Sequence, residues 1–222
     1  MSPHLRRALV FVALLGFCGV LLALRVARTG SHLYMFLVWN LFLAAIPPVA
    51  SYLFVRSMDR GWRVMAAAAF VAWLLFLPNA PYILTDFVHL RAQPNVPLWY
   101  DIALLASAAG TGLLLGYASL ADVQHVIARR WGRPAGWSIA GAALLLSGFG
   151  VYVGRFLRWN SWDAVTNPQR LAHDIVARLA DPLSHPRTFG MTAIYGVGLF
   201  LGYIALRVIG ATTERRHATR TA

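Results

Sequence analysis

The chain has 222 residues, 59% of them hydrophobic and 13% charged, with a formal net charge of +12. So large an apolar share excludes an ordinary soluble domain, because several runs reach the roughly 17–25 residues that cross a hydrocarbon core of about 30 Å. The charge does not point to nucleic acid: every basic residue besides histidine is Arg, and the arginines sit between apolar runs, where topology signals belong. Continuous rather than alternating apolar runs also exclude a transmembrane β-barrel.

The predicted architecture is all-α: a polytopic integral membrane protein with about six transmembrane helices, forming one domain over 1–222. The spans fall at about 8–24, 33–55, 63–77, 99–120, 135–157 and 189–209. The first follows Arg6 and Arg7 and resembles a signal peptide. Arg25 and Arg28 close it, and no convincing small-x-small cleavage site follows, so it is read as a retained helix. Its Cys18 is the single cysteine, which leaves no intramolecular disulfide and no CxxC motif. In the second span Asn40 is expected to hydrogen-bond to another helix. Pro47 and Pro48 remove two backbone donors and predict a kink.

The third span runs into LFLPNAPYILTDFVHLR, Leu75 to Arg91. Pro78 should end or bend it, Asn79 can cap a new helix, and Pro81 fits that helix's first turn. An outer-face half-helix is therefore predicted over 80–91. Asn79, Tyr82, Asp86, His89 and Gln93 are spaced 3, 4, 3 and 4, one polar stripe of an α-helix. Such a stripe must face protein or water, since lipid penalises it. Asp101 opens the fourth span, where a carboxylate suits the positive end of the helix dipole. Gly112 and Gly116, Gly150 and Gly154, and Gly198 and Gly202 each have GxxxG spacing, which predicts close packing of the last three spans.

The fifth span ends in GRFLRWNSWD, Gly154 to Asp163. Arg155 and Arg158 are one helical turn apart, as are Trp159 and Trp162. An interfacial belt of Trp and Arg explains those types, but it does not need Asn160, Ser161 and Asp163 crowded between them. Beyond this block, Thr166 or Asn167 can cap a helix opening at Pro168. Leu171, Ile175 and Leu179 form one face, and Arg170, Asp174 and Arg178 another. This predicts an interfacial amphipathic helix over 168–181, with His173 and His185 nearby.

Arginine bias sets the orientation. Arg6 and Arg7, then Arg56, Arg60 and Arg63, then Arg129, Arg130 and Arg133, then Arg207, Arg215, Arg216 and Arg220 fall on one side of a six-span chain. That side is cytoplasmic, with both termini, and the third and fifth connections share the outer face.

FLPNAPYILTDF and GRFLRWNSWD resemble the two signature blocks of a bacterial family of polytopic membrane proteins, domain of unknown function 1361. The resemblance implies an integral protein of the bacterial cytoplasmic membrane and no reaction, substrate or catalytic residue.

The candidate site is the polar set Asn79, Tyr82, Asp86, His89, Arg155, Arg158, Asn160 and Asp163. One reading is binding or transport of an anionic or lipid-headgroup ligand held by Arg155 and Arg158. A second is an enzyme acting on a lipid or lipid-linked substrate, with Asp86 and His89 as base and orienter or as metal ligands. A third is a structural or assembly component of the cell envelope. The structural alternative for the polar set is a buried ion-pair network, Asp86 with Arg155, locking the loops over the bundle. D-x-x-H is a weak metal signal, and GxSxG, HExxH and P-loop patterns are absent. No cofactor or metal is therefore assigned. Membrane lipids are the expected partners and nucleic acid is not; no protein partner is specified, and self-association stays open.

Overall fold

The computed structural model describes residues 1, 3–93 and 95–220. Its helices are α1 (Pro3–Thr29), α2 (Phe36–Asp59), α3 (Arg63–Phe76), α4 (Asn79–Tyr82), α5 (Leu98–Trp131), α6 (Arg133–Phe156), α7 (Asp163–Thr166), α8 (Pro168–Ala180) and α9 (Pro186–Arg220). A 3-10 segment, Ile83–His89, follows α4. Among the described residues there is no strand, only an isolated bridge between Gln93 and Val96. Six helical stretches are long and apolar enough to cross a membrane: Leu5–Thr29, Phe36–Asp59, Arg63–His89, Leu98–Trp131, Arg133–Phe156 and Pro186–Gly210. The protein is an all-α, polytopic membrane protein. Large apolar side chains such as Val12, Phe17 and Val20 of α1 lie exposed, as a lipid-facing surface requires.

The chain divides into two compact units, Met1–Gly136 and Trp137–Ala222. In the first, α1, α2, α4 and α5 enclose a core around Cys18, Leu37, Ala80, Ile83 and Leu105. α2 continues through Pro47 and Pro48. Gly61 (φ +75°) and Gly132 (φ +90°) supply the left-handed turns between successive long helices, a conformation glycine adopts without a Cβ clash.

Near Pro78, where the sequence pattern predicts an end or a bend, α3 ends at Phe76 and the chain bends without unwinding. Leu77 and Pro78 keep right-handed helical dihedrals, and the chain passes through α4 into the 3-10 segment. Asn79 is not a cap; its side-chain amide donates to the Phe76 carbonyl at 2.9 Å. Pro78 and Pro81 remove two donors within four residues, so the i−4 ladder is interrupted, with Tyr82 to Pro78 kept at 3.0 Å and a tighter i−3 bond beside it. The Ala80 amide accordingly donates to Leu77 at 3.1 Å. This kink seats α4 on α5: a Cβ on Gly112 would stand 2.5 Å from the Ala80 carbonyl oxygen, and one on Gly116 2.8 Å from the Ala80 Cβ. That GxxxG pair therefore packs against α4, which corrects its assignment to a bundle of the last three spans.

In the second unit the close approach is between α6 and α9, at glycines outside the GxxxG pairs. A Cβ on Gly148 would lie 2.6 Å from the Thr192 carbonyl oxygen and 2.7 Å from the Gly196 nitrogen. Trp137 packs edge-on against Phe200 and Tyr203.

Candidate functional site

One polar network occupies the first unit. In 3-10 geometry residues three apart align, so Ile83, Asp86 and His89 share a face. The expected α-helical stripe is thereby divided: Asp86 is buried, Asn79, Tyr82 and His89 are half-buried, and Gln93 is exposed. The Asp86 carboxylate, 1% exposed, accepts from the Asn40 amide at 2.8 Å. His89 Nδ1 stands 4.0 Å from Asp86 Oδ1 and 3.2 Å from the Asp86 carbonyl oxygen, with the ring 5.0 Å from that of Phe36. Asn40 makes the interhelical bond expected of it.

The network extends to residues that sequence reasoning missed. The Tyr34 hydroxyl donates to the His89 carbonyl at 3.3 Å. Its ring carries the Arg25 guanidinium 4.5 Å above its centre. Burial, then the charge of Asp101, pushes the Tyr34 phenol above its ordinary value. Arg25 pairs bidentately with Asp101, Nε to Oδ1 at 2.7 Å and Nη2 to Oδ2 at 3.1 Å. Both side chains are buried, at 1% and 2% exposure. These positions correct two expectations. Arg25 is not a loop topology signal but a buried group inside α1, and Asp101 answers that charge directly instead of only the helix dipole. The signal was present: Cys18, Leu22 and Arg25 are spaced 4 and 3, so the arginine continues a buried stripe.

At the far ends of these helices, Arg7 pairs with Asp122 and Arg129 with Asp59, the latter at 2.9 Å. Trp73, fully buried, donates from its indole nitrogen to Ser119 at 3.1 Å.

A separate cluster occupies the second unit, where the Arg155 and Arg158 spacing is not helical. α6 ends at Phe156, and Arg158 takes a left-handed conformation (φ +60°). The Trp159 amide reaches back over this left-handed arginine to the Val153 carbonyl at 3.4 Å, six residues earlier. Arg158 is exposed and Arg155 half-buried.

Asn160 and Asp163 do meet. The Asn160 backbone N–H donates to Asp163 Oδ2 at 2.7 Å, and the Asp163 N–H returns to the Asn160 carbonyl at 3.0 Å. The two bonds close a tight turn that leads into α7. The Asn160 N–H holds the Asp163 carboxyl below its usual range, helped by the Thr166 and Asn160 side chains.

Beside this turn, Trp159, Gln169, Arg170, His173 and Asp174 line a cleft of ≈ 300 Å³. The Trp159 indole donates to Asp174 Oδ2 at 2.8 Å, and Arg178 stands 3.6 Å from the other oxygen. The cleft's one carboxylate is thus engaged, while Arg170 and His173, one turn apart, are both exposed. On α8 the half-buried positions are Leu171, Asp174, Ile175, Ala177 and Arg178, whereas Leu179 is exposed. The expected face of Leu171, Ile175 and Leu179 is therefore rotated toward Asp174, which Trp159 engages.

Asp86 belongs to the first unit and Arg155 to the second. Among the described residues, no group of three or more His, Cys, Asp or Glu side chains could hold a metal ion. No curated protein and no solved structure matches this chain. A family model described as "Protein of unknown function (DUF1361)" matches residues 39–217, from within α2 into α9 and including both polar blocks. By that match over most of its length, the chain belongs to the DUF1361 family.

Proposed function

We propose that this protein binds the anionic headgroup of a membrane lipid in the cleft between Trp159 and α8. The observation that carries the reading is the charge state of the cleft. Its walls hold Arg170 and His173, and its one carboxylate, Asp174, is taken up by Trp159 and Arg178. An arginine with unspent donors and a neighbouring imidazole suit phosphate oxygens. The cleft lies just beyond the end of α6 and beside an amphipathic helix whose Val176 and Leu179 are exposed, features suited to a headgroup layer.

The same proposal places the chain as a multi-pass protein of the bacterial cytoplasmic membrane with both termini cytoplasmic. The support is the arginine bias; Arg215, Arg216 and Arg220 of that argument lie outside the described side chains. The cleft then faces the outer side.

The test is titration of the full chain in detergent with dihexanoyl phosphatidylglycerol and, separately, dihexanoyl phosphatidylcholine. The anionic lipid binds more tightly, and Arg170→Gln with His173→Gln lowers its affinity at least about tenfold, about 1.4 kcal/mol. Equal affinity for the two lipids, or no loss in the double variant, overturns the proposal.

A further inference from the structure

The first unit carries a charged feature of its own, where α2 turns into α3 and α5 turns into α6, and it does not depend on the cleft of the second unit. The two turns repeat one pattern, RGWR at 60–63 and RWGR at 130–133. In each, an arginine stands at the end of one helix, a left-handed glycine (Gly61 or Gly132) reverses the chain, and a second arginine opens the next helix. An exposed tryptophan, Trp62 or Trp131, lies between the two arginines in sequence.

The turns are joined. Arg129 Nη2 donates to Asp59 Oδ1 at 2.9 Å, and Arg130 Nη2 donates to the Met58 carbonyl at 2.7 Å. The α5–α6 hairpin is also tight, since a Cβ on Gly136 would stand 2.8 Å from the Ala128 Cβ. The arginines are therefore presented on one frame. Stretches 56–63 and 129–133 hold six arginines and one aspartate, and Arg129 takes up that aspartate. The guanidiniums of Arg60, Arg63 and Arg133 make no hydrogen bond or ion pair among the described residues; that of Arg60 lies 4.9 Å from the centre of the Trp62 ring. Arginine bias explains positive charge at this end of the spans, but it does not require two matched turns or the bonds that hold them side by side.

We infer that this platform binds a phospholipid with two phosphate groups, one phosphate at each turn. Each turn offers a pair of guanidiniums three residues apart, Arg60 with Arg63 and Arg130 with Arg133, and the guanidinium fork matches phosphate oxygens. A single phosphate neutralises one turn and leaves the other unanswered. Position selects a lipid. Both turns lie at the ends of stretches apolar enough to cross a membrane, Phe36–Asp59, Arg63–His89 and Leu98–Trp131, which places them in a headgroup layer. Exposed tryptophan suits that layer, and basic sites between spans suit anionic headgroups. A second copy of the chain cannot supply the counter-charge, having 8 acidic residues against 20 arginines.

The full chain in detergent is titrated by native mass spectrometry with tetraoleoyl diphosphatidylglycerol, dioleoyl phosphatidylglycerol and inorganic pyrophosphate. The parent binds the two-phosphate lipid at least about tenfold more tightly than the one-phosphate lipid. Arg60→Gln with Arg63→Gln empties one turn, and Arg133→Gln weakens the other. Both lower the affinity for the two-phosphate lipid, the double variant by at least about tenfold. All three positions are exposed, so the variants melt with the parent. Arg28→Gln with Arg91→Gln removes the same charge as the double variant from other exposed positions of this unit and leaves the affinity unchanged. Equal affinity for the two lipids overturns the two-phosphate assignment, and unchanged binding in both turn variants overturns the site. An equal loss in the Arg28 and Arg91 control shows attraction by net charge alone and overturns the site as well. Pyrophosphate that binds as tightly as the lipid assigns the turns to a soluble phosphate and overturns the proposal.

Discussion

Replacing Asp101 with Asn keeps the side chain's shape and removes its charge. Arg25 then remains at 1% side-chain exposure inside α1 with no counter-ion across the bidentate contact. The Tyr34 ring offsets only part of the loss, because a cation–π contact contributes about 2 kcal/mol when desolvated. Stranding one partner of a buried pair costs on the order of 3–5 kcal/mol. For a chain of this size each kcal/mol lowers the melting temperature by about 2–4 °C, so a drop of about 6–20 °C is expected. The assay is thermal unfolding in detergent of the parent, Asp101→Asn, Arg25→Met, and the double variant Arg25→Met with Asp101→Leu. Each single variant is strongly destabilised, and the double variant, which strands no charge, recovers most of the loss. Single variants that melt within about 1 °C of the parent, or effects that simply add in the double variant, refute the reasoning.

Three further outcomes follow from the packing and the hydrogen bonds. Asn40→Leu deprives the buried Asp86 carboxylate of an amide donor and should cost about 1.5–3 kcal/mol in chemical denaturation, whereas Trp39→Leu, at an exposed position, changes little. Gly112→Ala drives a methyl against the Ala80 carbonyl and should cost about 1–3 kcal/mol, whereas Gly19→Ala is neutral or stabilising by up to about 1 kcal/mol; equal effects contradict the α4–α5 contact. Asp163 has a depressed folded value, so its contribution to the α7 turn is present above the ordinary aspartate value of 3.8 and is lost as pH falls through the folded value. Amide exchange at Asn160 should therefore quicken below that range, and Asp163→Asn should remove the pH dependence.

The fold class was legible because membrane spans leave long apolar runs, and lipid admits few other architectures. In the third span the bend near Pro78 was legible, but the α-helical period expected beyond it was not the one adopted. The Leu77 carbonyl that Pro81 leaves without a donor takes the Ala80 amide, and the helix reaches His89 in 3-10 form, which changes the period that decides which polar groups align. Arg25 was misplaced for a related reason: a charge after Leu24 looks like the end of a span. Only its register with Cys18 and Leu22 marks it as buried. Arg158 shows the reverse error, since helical spacing paired it with Arg155, yet it occupies a left-handed cap. The packing glycines of α6 and α9 escape any spacing rule, because Gly148 and Gly196 are close across two helices and not along one. Asn160 with Asp163 was legible as a crowded polar turn, being local in sequence. The cleft of Trp159 with Arg170 and His173 was not, since it depends on how α8 is rotated.

The most direct test of the headgroup assignment is to locate the lipid. The full chain in nanodiscs is irradiated with phosphatidylglycerol bearing a diazirine on its headgroup, and the crosslinked peptides are mapped. Crosslinks concentrated on Trp159 and on 169–174, and competed by unlabelled phosphatidylglycerol, are the predicted result. Crosslinks spread along the exposed ends of all the spans, or confined to the first unit, contradict the assignment.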